Sequence, residues 1–193
     1  MQDSLYLENQ LLIATPSMTD PYFQKSVVFI CEHNERGAMG IIVNHPMSIT
    51  IEDLLIHMEI LSPENRQENL PAILSQPVLA GGPVQRERGF VIHHPAGKWQ
   101  SSFVMPNDLT ITTSRDILQA LVDNQGPARL LAALGYAGWE AGQLEEELIN
   151  NSWINCPVDF QLLFETPAEL RWEKAGQLLG VNLANLLSTV GHT

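Results

Sequence analysis

The side chains best suited to chemistry are Glu32-His33-Asn34 and His93-His94, because an imidazole near neutral pH can move a proton or ligate a metal. Both groups end apolar, β-branched runs, Ser26–His33 and Phe90–His94, which read as strands. Alternation along a strand sends Glu32 and His33, or His93 and His94, to opposite faces, so neither pair grips one metal alone. A metal or general-base site would have to join His33 and His93 from separate strands, with Asp20 or Asn44 as a third group. Zinc-type spacing is missing, so the favoured reading is a hydrogen-bonded strand-end histidine, with no metal and no cofactor expected. Cys31 and His33 are expected on one face, with Cβ atoms about 7 Å apart, too far for a thiol–imidazole pair. Cys31 also lies within the apolar run Val27–Cys31, where a thiol behaves as a small buried hydrophobe. Arg36 and Arg88 each adjoin a glycine turn and could clamp a carboxylate or phosphate; pairing with a surface carboxylate is the simpler reading.

Several reaction classes lack their signatures. There is no G-x-S-x-G elbow, no phosphate-binding G-x-x-x-x-G-K-[ST] loop, no H-E-x-x-H and no C-x-x-C. Gly81-Gly82 and Gly135…Gly138 are too short and wrongly spaced for a dinucleotide fingerprint, and read as tight turns and close backbone packing. Charge excludes more. The 22 acidic residues outnumber the 10 basic ones, for a net charge of −12. Half of that excess falls within residues 140–174. Binding to a nucleic-acid backbone relies on clustered Lys and Arg, so direct nucleic-acid contact is not expected. Such a surface also repels anionic lipid.

The elements that must position these groups follow from pattern. The turn Asn34-Glu35-Arg36-Gly37 joins Ser26–His33 to Ala38–Asn44 as a hairpin. Further strands are expected at Leu11–Ala14, Val78–Ala80, Phe90–His94, Leu109–Thr112, Leu131–Ala137 and Trp153–Cys156. Helices are expected after Thr50, with a capping box, and after Thr113. Another spans Ala141–Asn150, with Leu144, Leu148 and Ile149 inward and Glu145, Glu146 and Glu147 mostly toward water. Thr166-Pro167-Ala168-Glu169 reads as a helix start running to Leu179, which Gly180 stops. Asn182–Ser188 reads as a final turn of helix, and Leu61–Gln76 as a surface excursion within one domain spanning 1–193. Trp139, Trp153 and Trp172 read as core or edge aromatics. Hairpins early and helices late, without regular alternation, predict α+β with a largely antiparallel or mixed sheet. The 2 cysteines suggest reduced thiols. No secretion signal and no apolar run near the ~18 residues of a membrane span are found, so a cytoplasmic location away from membranes is expected.

The ordered segments Leu11–Pro16, Asp20-Pro21 with Phe23, Glu32-His33, Gly37-Ala38-Met39-Gly40, Gly81-Gly82-Pro83-Val84, Arg88-Gly89-Phe90-Val91 and Leu134-Gly135-Tyr136-Ala137-Gly138-Trp139 resemble the YqgE/AlgH family. Further matches at Leu109-Thr110, Ser114, Asp116 and Gly142-Gln143-Leu144-Glu145 extend the resemblance over about residues 10–180. It implies a single α+β domain whose branching sheet forms an open pseudo-barrel flanked by helices. It implies no reaction, because the family is functionally uncharacterised; some members carry the label of transcriptional regulator. The combined reading is a cytoplasmic, non-catalytic binding or regulatory domain acting through a protein or small-ligand partner. Its expected contact region is a sheet end where Asp20, His33, Asn44, Arg88 and His93 converge. The alternatives are a metal-assisted hydrolase using His33 and His93, and regulation of transcription by family label alone.

Overall fold

Each apolar run named above forms a strand, and a computed structural model describing residues 6–65 and 70–183 places them in one curled sheet. Chain order gives β1 (Gln10–Ala14), β2 (Val27–Asn34), β3 (Gly37–Ile42), β4 (Pro46–Thr50) and α1 (Ile51–His57). Next come β5 (Pro77–Ala80), β6 (Val84–His94), β7 (Ser102–Val104), β8 (Thr110–Thr112) and α2 (Asp116–Val122). The chain continues through β9 (Arg129–Glu140), α3 (Gln143–Ile149), β10 (Trp153–Pro157), α4 (Phe160–Phe164) and α5 (Arg171–Leu178). The main path is β10-β1-β2-β3-β9-β6-β8-β7. Off that path β5 pairs with β4 and, in parallel, with β9, so the sheet branches there. This is α+β architecture built on an open, curled half-barrel.

Strand β9 serves two layers, and Gly135 is the reason. Before it, Leu131 and Ala133 face the inner core with Phe29, Ile41 and Trp172. Beyond it, Ala137 and Trp139, also odd-numbered, face an outer cluster with Val28, Ile42 and Trp153. A left-handed residue at Gly135, φ +78°, reverses the alternation that an extended strand would keep. The strand also changes partner there, from β6 to β3. A Cβ on Gly135 would lie 2.4 Å from the Gly82 carbonyl oxygen, and one on Gly82 would lie 1.9 Å from the Tyr136 carbonyl carbon. The two glycine groups are therefore a backbone-on-backbone crossing. A third apolar layer lies outside β6 and β9, where α1 and α2 cover Val91, Leu130 and Ala132.

Local signals account for several boundaries. Thr50 caps α1 in a closed capping box, its Oγ1 accepting from Asp53 N and the Asp53 carboxylate accepting from Thr50 N. Gly180, φ +73°, ends α5 as expected. Thr166 does not start that helix. Its hydroxyl donates to the Gln161 carbonyl at the end of α4, and Pro167 is extended at ψ 141°, so α5 begins only at Arg171. Strands β4 and β7 and helix α4 were not expected, being at most five residues each. Most of Asn182–Ser188 lies outside the described residues, as does part of Leu61–Gln76; Leu74 within that excursion is buried against α1 and α2.

Arg171 locks α5 down. It is buried, with its Nε donating to the Leu162 and Thr166 carbonyls and its Nη1 to the Val43 carbonyl. Burial lowers its pKa to about 10, so the guanidinium stays charged at neutral pH.

Replacing either crossing glycine by alanine has no room to relax except by separating the strands. Gly82→Ala or Gly135→Ala is expected to lower unfolding free energy by about 3 kcal/mol or more. A urea midpoint equal to that of the unmodified chain would refute the crossing.

Candidate functional site

A cleft of about 570 Å³ with partly polar walls lies at one end of the half-barrel. On one side stand Glu8, Cys31, Glu32, His33 and Met39; facing them are Arg88, Phe90, Ile111 and the Ser101–Phe103 segment. The sheet's two arms thus meet here without pairing, one carrying β2 and β3 and the other β6, β8 and β7.

A β-bulge decides what β2 presents. Ile30 pairs with Gly40 and Glu32 with Met39, leaving Cys31 as an extra residue. The bulge moves His33 to the face of Ala38, opposite Cys31, which stays in the inner core. Cys31 and His33 therefore do not share a face as regular alternation predicts. His33 is buried and fully engaged. The Leu7 N–H donates to its Nδ1 at 3.0 Å, so a neutral ring carries its proton on Nε2 and donates that to Glu145 Oε1 at 3.1 Å. Neither nitrogen is free to bind a metal or take a substrate proton. Burial, with Glu8 and Glu32 adding to it, pushes the Cys31 thiol far above its ordinary range, which is the wrong direction for a nucleophile.

His93 is likewise committed, and it leads outward to the cleft. Its Nδ1 donates to the Pro95 carbonyl at 3.0 Å, so Nε2 accepts from the Thr112 hydroxyl at 2.8 Å. Thr112 Oγ1 in turn accepts from Ser102 Oγ at 2.7 Å, and Ser102 is exposed on the cleft wall. Burial holds the His93 imidazole below its usual pKa, hence neutral. His94 faces the other way, its ring 4.9 Å from that of Phe160.

The five expected contact residues divide. Arg88 opens on the cleft, while His33 borders it with a buried ring turned to Glu145. Asn44 sits by the start of β2, its Oδ1 accepting from Val27 N at 2.7 Å, about 20 Å along that strand from His33. Its Nδ2 donates to the Lys25 carbonyl, so its work is to close a chain reversal. Asp20 is exposed in that same turn region, accepting from Tyr22 N at 2.8 Å. His93 lies five residues beyond Arg88 on β6, about 16 Å away. Among the described residues no three His, Cys, Asp or Glu side chains stand close enough to hold a metal ion.

Arg88 owes its position to an irregularity. Five residues of β6 span what two span on β9, between Val84↔Tyr136 and Gly89↔Leu134. Gln85 adopts φ +44° within that excursion. Arg88 emerges stacked 5.3 Å from the Phe90 ring centre, with a single 3.4 Å hydrogen bond to Gln85 Oε1 and no ion pair among the described residues. Arg36, by contrast, is exposed at the β2–β3 hairpin tip.

The glutamates of α3 overturn an expectation. Glu147 Oε2 accepts from both Trp139 Nε1, at 2.9 Å, and Trp153 Nε1, at 2.7 Å. Glu145 holds His33. Buried donors need acceptors, so the helix turns these two carboxylates toward the sheet and leaves Ile149 79% exposed. Ser102 and Phe103 of β7 give no signal in the sequence, because three residues carry no periodicity.

Comparison with known proteins agrees with this fold. The AlgH-like family pattern matches residues 11–184. The chain belongs to the AlgH-like family. A UPF0301 protein of Idiomarina loihiensis is 52% identical over 186 residues, 96% of this chain and 98% of that one. Another, from Thioalkalivibrio sulfidiphilus, is 47% identical over 192 residues and covers 100% of both chains. The solution structure of the AlgH protein from Pseudomonas aeruginosa superposes with a TM-score of 0.75 at 41% identity, covering 100% of this chain and 99% of that one. A crystal structure of a Corynebacterium diphtheriae protein shares the fold, with a TM-score of 0.68 at 19% identity over 89% of this AlgH-like chain and 86% of its own. No described helix of this family member is long and apolar enough to cross a membrane.

The thiol is the directly testable group. With its pKa raised on folding, Cys31 contributes stability that is complete below the free-thiol value of 9.0 and is lost as pH rises above it. Native protein at pH 8 is expected to alkylate at Cys31 at least about tenfold more slowly than free cysteine. Cys31→Ala should flatten the fall of stability above pH 9; rapid native labelling would contradict this placement.

Proposed function

We propose that this AlgH-like chain is a cytoplasmic, non-catalytic binding domain that takes an extended segment of a partner protein across the cleft. The observation that carries this reading is Arg88, a guanidinium with no ion pair among the described residues, stacked on Phe90 at the mouth of an apolar-floored opening. Stacking on Phe90 holds this guanidinium at the cleft wall, where its N–H fork can take a carboxylate or a main-chain carbonyl. The neighbouring edge strand β7 supports the choice of an extended segment. It pairs with β8 on one side only, among the described residues, and leaves Phe103 54% and Val104 53% exposed. Exposed edge strands add a partner's strand by main-chain hydrogen bonds, while adjoining pockets read its side chains. Glu8 and Glu32 on the facing wall would favour a segment that also carries a basic residue.

The hydrogen-bonded chain Ser102–Thr112–His93 favours one second reading, an esterase-like activity with Ser102 as nucleophile. Its proton would pass to Thr112, whose own proton passes to His93. A panel of activated esters separates the two: turnover abolished by Ser102→Ala and by Thr112→Val would replace the binding reading.

For the preferred reading, the chain and an Arg88→Glu/Phe103→Glu variant are cross-linked in native cytoplasm and the attached proteins identified by mass spectrometry. Partners joined to residues 88 or 101–104 should disappear from the variant while its thermal midpoint stays unchanged. An identical partner set for both chains would end this reading.

A further inference from the structure

A second cavity lies behind β6, on the outer side of the sheet, where α1 and α2 pack over β6 and β9. It encloses about 420 Å³, and Leu54, Met58, Val91, Leu118, Ala132 and Leu134 form most of its walls. Val91, Leu118 and Ala132 belong to the outer apolar layer, with Leu54, Met58 and Leu134 packed against it. Such walls give water few hydrogen-bond partners, so an apolar guest that covers them is favoured. The volume falls in the range of small-ligand sites.

Polar groups also line this cavity. His57, Glu87, Ser114 and Arg115 line it beside the apolar residues. Arg115 is held in place by α1, its Nη2 donating at 2.7 Å to the carbonyl of Met58, the C-cap of that helix. It forms no ion pair among the described residues, which leaves its remaining N–H groups for a ligand. Glu87 comes from the same β6 excursion that sends Arg88 to the opposite side of the sheet, into the cleft.

We propose that this cavity binds an amphipathic carboxylate, with its aliphatic body among Leu54, Leu118 and Ala132 and its anionic head on Arg115. A guanidinium presents paired N–H donors to a carboxylate, whereas the apolar walls offer a head group nothing. Glu87 opposes an anion at this place and sets the sign of the test. The site is independent of the peptide cleft, so either reading can fail alone.

Decanoate, decanol and decyltrimethylammonium are titrated into the isotope-labelled full chain. Decanoate is expected to raise the thermal midpoint and to shift the amide signals of Leu54, Leu118 and Ala132. Arg115→Gln should weaken its binding about tenfold, as loss of a charged hydrogen-bond partner does. Glu87→Gln should tighten it severalfold, and Ala132→Phe, which fills the space, should abolish it. The amide map on the unmodified chain decides the location even if Ala132→Phe does not fold. No decanoate-induced shifts at those amides, shifts confined to the cleft, indifference to Arg115→Gln, or a preference for decyltrimethylammonium would overturn the proposal.

Discussion

The close crossing of Gly81-Gly82 over Gly135-Tyr136 is the constraint on which the rest of the molecule depends. An extended strand keeps each side chain on its own face for its whole length. Strand β9 has to line the inner core at Leu131 and Ala133 and the outer cluster at Ala137 and Trp139, so it must reverse once. A left-handed glycine provides the reversal, and two further glycines let β5's exit approach it within backbone contact. The sheet then divides into one arm led by β3 and another led by β6. The cleft is the gap between those arms.

Irregular strand positions display several of the candidate functional groups. The Cys31 bulge turns Glu32 toward the cleft and His33 toward α3. The β6 excursion divides Glu87 from Arg88 across the sheet. Bulges redirect side chains at a modest cost in pairing, which is why they gather beside binding sites.

Three polar groups of the interior are held and not poised. His33 has both nitrogens engaged, Glu147 serves two indoles, and Arg171 donates to three carbonyls with no ion pair among the described residues. A buried polar group without a partner is costly, so these contacts fix the positions of α3 and α5 against the sheet. Arg88 and Arg115 are the contrast: exposed, unpaired among the described residues and each at the wall of a cavity.

Period and punctuation in the sequence alone determined the described strands other than β4 and β7, the hairpin at Asn34–Gly37, the capping box at Thr50, the stop at Gly180 and the α+β class. Each of these rests on neighbours within a few residues, so local sequence carries it. Family resemblance added the branching and the open curl. Only the tertiary structure decided which faces those strands show. Asp20 and Asn44 separate from His33 because they close the far end of β2, and Glu145 and Glu147 turn inward because His33, Trp139 and Trp153 bring donors that need acceptors. One bulged residue or one left-handed glycine inverts every side chain beyond it, and whether the chain takes that step depends on partners up to a hundred residues away.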